Sequence, residues 1–267
     1  MNAGDRVTLR LLARMKRERQ PISMLTAYDA TLAAEIDRAG VDCVLVGDSL
    51  GNVIQGRDTT LPVTLADMEY HVHCVRRGVS RALLVADLPF LRYADPAMAV
   101  ESARVLMQAG AQMVKLEGGS AVVQSVSSLT ALGVPVCGHL GLTPQSVHQL
   151  SGYRVQGRGD AGRVLLAQAH ALADAGCTML VLECVPARLG AEVAAALDIP
   201  VIGIGAGRDV DGQVLVLYDM LGLGSRRPAR FVRDFMAGRE SIPEALAAYV
   251  DSVRARSFPR PEESYDD

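Results

Sequence analysis

No apolar run in this 267-residue chain approaches the ~18 residues that would suggest a membrane span. The opening "MNAGDRVTLR" also lacks the apolar core of a secretory signal. There is no excess of either charge: the net value of −3 creates no strong field and argues against nucleic acid as a partner. No CxxC pair occurs among the five cysteines (Cys43, Cys74, Cys137, Cys177, Cys184), which mostly lie inside apolar runs and read as buried free thiols rather than redox or metal sites. The stretch "GIGAG" (203–207) lacks GxGxxG spacing and a following lysine, so its glycines read first as positions of close backbone packing and only second as a phosphate loop. These absences leave a cytoplasmic globular protein with small-molecule chemistry.

What is present is alternation. Short runs rich in Val, Leu and Ile, at 23–28, 43–48, 82–87, 113–118, 134–140, 179–185, 201–207 and 213–220, are separated by longer Ala-rich segments of helical period, several of which end in Gly. Near-continuous apolar strands joined by helices imply a parallel sheet covered on both faces. Eight such units without a composition break predict one closed (β/α)8 TIM barrel spanning residues 1–267, close to the ~250 residues typical of that architecture. The interval between the last two runs is too short for a full helix. Within residues 1–20, "TLRLLARMKRERQ" predicts an amphipathic helix with Thr8 as N-cap that closes the bottom of the barrel, although a transit peptide is the competing reading. The polar, proline-bearing end, residues 257–267, is expected to be disordered.

In a parallel barrel the active site lies at the C-terminal ends of the strands. The second run ends in Asp48 and Ser49, the third in Asp87, the fourth carries Lys115 and Glu117, the fifth His139 and the sixth Glu183. Buried charges around one mouth are costly unless something pairs them. Asp48, Asp87 and Glu117 offer oxygen-only ligation suited to Mg²⁺, and with Lys115 and Ser49 they would hold a small acid bearing adjacent carboxylate and keto oxygens. Such a site acidifies the carbon beside the ketone. A base free of the metal is then needed, and Glu183, set in the apolar "MLVLECV", is favoured over His139 because burial raises a carboxyl toward neutral pKa.

With these residues assembled, the segments "TAYD" (26–29), "VGDSLG" (46–51), "DTTLPVT" (58–64), "ADLPF" (86–90), "KLEGG" (115–119), "VCGHLGLTPQ" (136–145), "QGRG" (156–159), "LVLECVP" (180–186) and "VIGIGAG" (201–207) stand in the order found in the ketopantoate hydroxymethyltransferase family, which the chain resembles. The resemblance implies a (β/α)8 barrel that uses Mg²⁺ and takes a one-carbon unit from 5,10-methylenetetrahydrofolate to convert 3-methyl-2-oxobutanoate to 2-dehydropantoate on the route to pantothenate. It also implies a large homo-oligomer, usually a homodecamer. By motif match Asp48 and Asp87 resemble direct metal ligands, with Glu117 completing the site. Asp48, Ser49, Asp87 and Lys115 resemble keto-acid binders, and Glu183 the proton acceptor. Arg92 stands where the family more often has a small residue, and "RGDAGRVLLAQA" is slightly shortened at the start of its helix. The phosphoenolpyruvate mutase and isocitrate lyase group, which would give Cys137 an acid role, is the rival reading.

Overall fold

The computed structural model describes residues 6–224 and 228–267. Eight parallel strands close on themselves in sequence order: β1 Ile22–Thr26, β2 Cys43–Val46, β3 Leu83–Asp87, β4 Met113–Glu117, β5 Val136–Gly141, β6 Met179–Glu183, β7 Val201–Ile204 and β8 Gly212–Leu215. Closure is made by β8 on β1, with Met24 beside Val214. Around them lie α1 Leu9–Arg17, α2 Ala30–Arg38, α3 Leu50–Val53, α4 Leu65–Gly78, α5 Pro96–Ala109, α6 Val123–Ala131, α7 Asp160–Asp174, α8 Ala187–Ala196, α9 Leu217–Met220 and α10 Ile242–Arg254. The strands are apolar on both faces because their outer faces meet helices and their inner faces meet one another.

Local chemistry sets the helix starts. Asp29, Asp95 and Ser241 accept hydrogen bonds from the third residue beyond them, and Thr64 with Asp67 forms a reciprocal capping box. Thr8 caps α1 as expected. Leu12 and Met15 of α1 are buried, and Lys16 Nζ reaches Asp211 at 2.5 Å and the Ala194 carbonyl at 2.8 Å. Asp211 also accepts from the amide of Val201 at the start of β7. The helix therefore seals the N-terminal ends of the strands, opposite the mouth where the charged residues lie. Residues 1–5 of the expected N-terminal element are outside the described residues.

Two expectations require correction. The run 213–220 is not one strand: β8 stops at Leu215, and Leu217–Met220 is a helical turn whose first amide is bonded to Thr26 Oγ1. A continuous apolar run cannot by itself distinguish a buried strand from a strand followed by a buried turn. The C-terminal segment is not a disordered tail. Phe258 and Ser264 are buried, and Phe258 packs edge-on with Phe235 and Tyr249. Glu263 is gripped by Arg233 through two contacts of 2.7 and 2.6 Å, with both side chains largely withdrawn from solvent. A few anchoring residues hold a mostly polar segment whose composition alone gives no core signal.

Candidate active site

Each barrel strand that ends in a polar group delivers it to the same mouth. Asp48, Asp87, Lys115, Glu117 and His139 are all 5% exposed or less, and the Glu183 side chain is 12% exposed. Lys115 Nζ lies 2.7 Å from Asp87 Oδ1 and 3.3 Å from His139 Nδ1. Asp87 Oδ2 accepts the Asp48 amide at 3.0 Å, which locks the ends of β2 and β3 together. His139 stands between two carboxylates, its Nδ1 3.4 Å from Glu117 Oε1 and its Nε2 3.3 Å from Glu183 Oε2. Ser49 is set slightly apart, sharing a 2.8 Å hydrogen bond with the buried hydroxyl of Tyr28.

Burial governs the protonation of this set. It raises Asp48 to about 6, with the nearby charge of Glu117 adding to the effect. Burial lifts Glu117 to about 7, even though Lys115 pulls it down. Asp87 is raised as well, burial outweighing its ion pair with Lys115. Burial opposes the charge of Lys115, yet the three carboxylates together hold it protonated well above its ordinary range. For His139, burial and then Lys115 depress the pKa, so the ring is neutral. Glu183 is raised by burial, partly offset by His139.

The sequence reading passed over Gln145, which ties the carboxylates to one another. It lies on the loop after β5 and is 5% exposed. Its amide donates to Glu117 Oε2 at 2.9 Å, its Nε2 donates to Asp48 Oδ2 at 2.9 Å and to the Leu88 carbonyl at 3.0 Å, and its Oε1 accepts from Tyr93 at 2.6 Å. The only signal available was its place in "VCGHLGLTPQ", since a neutral amide in a loop has no titratable signature. Gly47 leaves room beneath the site: a Cβ there would lie 2.8 Å from Ser49 Oγ and 3.6 Å from Asp87 Oδ2. Gly51 serves a different purpose, because a Cβ would strike Val63 of the "DTTLPVT" loop at 2.8 Å.

Other candidates fall outside the site. The thiol of Cys137 donates to its neighbour's carbonyl on Gly138 at 3.4 Å, and burial pushes its pKa up, so it is poorly suited to give or take a proton. The "GIGAG" glycines serve packing: a Cβ on Gly203 would meet Val210 at 2.9 Å, and one on Gly207 would meet Ala187 at 2.6 Å. Arg92 lies on the rim loop after β3, where its carbonyl accepts from Ser102 Oγ. Next to it, Phe90 and Leu91 are exposed, and Leu91 is held at φ 60°.

The oxygen-only donor set of Asp48, Asp87 and Glu117 fits a hard divalent cation. Lys115 is the one cation among three buried carboxylates, and Glu117 Oε1 is buried without a hydrogen-bond donor. Among the described residues no three His, Cys, Asp or Glu side chains converge closely enough to enclose a metal alone. A site of that kind keeps water or substrate oxygens in its shell.

A closed parallel barrel carrying an acid–base set of this kind at its C-terminal mouth defines a barrel enzyme. The ketopantoate hydroxymethyltransferase family model matches residues 6–261, and the chain belongs to that family. It is 53% identical over 261 residues to 3-methyl-2-oxobutanoate hydroxymethyltransferase of Chromohalobacter salexigens, covering 97% of this chain and 99% of the relative. To the protein of the same name from Aromatoleum aromaticum it is 55% identical over 262 residues, 97% of either chain. Among solved structures, phosphonopyruvate hydrolase superposes with a TM-score of 0.62 at 12% identity, covering 93% of this chain and 96% of that one. A 2,3-dimethylmalate lyase of the phosphoenolpyruvate mutase/isocitrate lyase superfamily gives 0.59 at 17% identity, covering 80% and 82%. Those likenesses establish the shared barrel.

Proposed function

We propose that the protein transfers a one-carbon unit from 5,10-methylenetetrahydrofolate to 3-methyl-2-oxobutanoate, consuming water and releasing 2-dehydropantoate and tetrahydrofolate, in the cytoplasmic synthesis of pantothenate. The observation that carries this reading is a division of labour at the mouth. Asp48, Asp87, Lys115 and Glu117 form one interlinked polar group, while Glu183 stands on its other side, reached through neutral His139 at 3.3 Å. A binding protein for a keto acid would need only the first group.

Asp48 and Asp87 would hold Mg²⁺, with Glu117 behind them. When bound, the metal supplies the Lewis acidity that makes the C3 proton of a keto acid removable. Lys115, kept protonated by its carboxylate neighbours, offers fixed positive charge to the substrate's anionic oxygens, and Ser49 a hydroxyl. Glu183 takes the C3 proton, its raised pKa matching it to a base that must later release that proton. Water cleaves the two C–N bonds that hold the methylene carbon, releasing tetrahydrofolate and leaving that carbon as a carbonyl; the electron pair left on C3 forms the new C–C bond to it, and its oxygen takes up a proton to become the hydroxyl. His139 touches Glu183 and Lys115 and so keeps the base aligned with the charged group. The apolar lip of Phe90 and Leu91 borders the opening through which the larger co-substrate would approach.

Incubation with 3-methyl-2-oxobutanoate and methylenetetrahydrofolate labelled with ¹³C at the transferred carbon tests this directly. The label is expected in a new hydroxymethyl group at C3 of the product. Cleavage of the keto acid or of isocitrate without label transfer would overturn the reading. Assembly as a homodecamer belongs to the same proposal, and sedimentation of the purified protein as a monomer would remove that part of it.

A further inference from the structure

The proposed base sits beside an unusual piece of backbone. Cys184, directly after Glu183, has φ +48°, a left-handed conformation that side chains with a Cβ rarely adopt. The turn is held on two sides: the Cys184 amide donates to the Ile204 carbonyl at 2.9 Å, its own carbonyl accepts from Gln156 at 2.8 Å, and the Val185 amide donates to Gly205 at 3.1 Å. Its third side is covered by the C-terminal segment. The Tyr265 carbonyl accepts the Ala187 amide at 2.8 Å, and the Tyr265 side chain lies beside the buried thiol of Cys184. The Tyr265 ring lies so close to Gly205 that a Cβ there would come within 3.2 Å of it, and the Arg230 guanidinium stands 5.7 Å above the ring.

The rest of the segment is tied down by bonds that serve no part of the proposed chemistry. Arg233 grips Glu263, Arg230 Nε donates to the Glu262 carbonyl at 2.9 Å, and Arg188 Nε meets Asp267 at 2.7 Å. Without its cover the left-handed turn would be free to relax, and relaxation would swing the Glu183 carboxylate, since the two residues share a peptide unit. A displacement of about 1 Å at a reacting group can cost on the order of 10²-fold in rate.

We propose that the segment from Phe258 to Asp267 is a strap that fixes the turn after β6, and that Tyr265 is the residue through which it positions Glu183. The inference rests on the assignment of Glu183 as the base. Its contact is mainly that of the ring, so Tyr265→Phe should keep the function and Tyr265→Ala lose it.

The test is the rate of C3-proton exchange of 3-methyl-2-oxobutanoate in D₂O with Mg²⁺, measured against substrate concentration for the full-length protein and for Tyr265→Ala, Tyr265→Phe and Glu183→Gln. Tyr265→Ala is expected to lower the limiting exchange rate roughly 10- to 100-fold with the keto-acid KM changed less than about threefold, and Tyr265→Phe to stay within about threefold of the parent. A chain ending at Ser264 keeps the Arg233 clamp and should reproduce the Tyr265→Ala result if that variant folds poorly. Exchange at the parent rate in both Tyr265→Ala and the shortened chain, with Glu183→Gln inactive, overturns the strap and leaves the base assignment standing. A fall in Tyr265→Ala that Tyr265→Phe shares equally overturns the ring's role. Full exchange by Glu183→Gln overturns the base assignment itself.

Discussion

Replacing Glu117 by Gln should make the metal-stripped protein more stable at pH 8 and leave it nearly unchanged at pH 5. Burial holds the proton of Glu117 to about pH 7, against the 4.5 of an ordinary glutamate. A carboxyl that binds its proton more tightly in the folded than in the unfolded chain makes the fold take up protons, so stability falls as pH rises through this window. At about 1.4 kcal/mol for each decade of proton affinity, the ionised carboxylate costs the fold about 3 kcal/mol at pH 8 and less than about 1 kcal/mol at pH 5. Gln has the shape of the protonated acid and still presents an oxygen to the Gln145 amide, which is 2.9 Å away in the parent. His139 works in the opposite sense below its ordinary pKa but is present in both proteins, so the comparison removes it to first order. The expected gap of about 2–3 kcal/mol corresponds to roughly 4–10 °C in Tm for a chain of this size. Thermal unfolding of both proteins in chelator at pH 5 and pH 8 measures it, and added Mg²⁺ should stabilise the parent more than the variant at pH 8. A variant no more stable than the parent at pH 8, or a gap equal at the two pH values, would refute the raised proton affinity of Glu117 in the fold.

Asp87→Asn should weaken Mg²⁺ binding by at least about tenfold, the cost of losing even an outer-shell partner, as read by calorimetry in the presence of the keto acid. Gln145→Ala keeps the backbone amide that bonds Glu117 but removes the Nε2 donor of Asp48 and of the Leu88 carbonyl and takes away the acceptor of the Tyr93 hydroxyl. It should cost about 1–3 kcal/mol in denaturant unfolding, and an unaltered midpoint would remove Gln145 from its organising role. Gly141 has φ +91°, and a Cβ there would lie 2.1 Å from the Glu183 carbonyl oxygen. Gly141→Ala must therefore shift the strand that carries the proposed base, and turnover should drop together with thermal stability.

How much of this was written in the sequence depends on how local each determinant is. The eight strands were visible because a parallel barrel buries both faces of every strand, which turns each into a continuous apolar run, and the titratable residues stood out as interruptions at the ends of those runs. Asp48, Asp87, Lys115, Glu117, His139 and Glu183 accordingly converge in space as their positions implied. Leu217–Met220 was missed as a helical turn because four apolar-rich residues carry no resolvable period. Gln145 and Tyr265 were illegible for a related reason. Each acts through partners distant in sequence, on Asp48 and Leu88 in one case and on Cys184 and Gly205 in the other, and nothing in the neighbouring residues foreshadows those contacts. The polar tail, read as disordered from composition, is ordered by the Arg233–Glu263 clamp and the buried Phe258 ring.

On this mechanism Glu183 removes the C3 proton of a keto acid held by the opposite group of charges. Proton NMR of 3-methyl-2-oxobutanoate in D₂O with the protein and Mg²⁺, before any folate is added, reports that step alone. The C3 proton signal is expected to disappear, dependent on the metal and slowed by a factor on the order of 10²–10⁴ in Glu183→Gln. Exchange that proceeds undiminished in Glu183→Gln, or that stays absent even when methylenetetrahydrofolate is supplied to the parent protein, would contradict this mechanism.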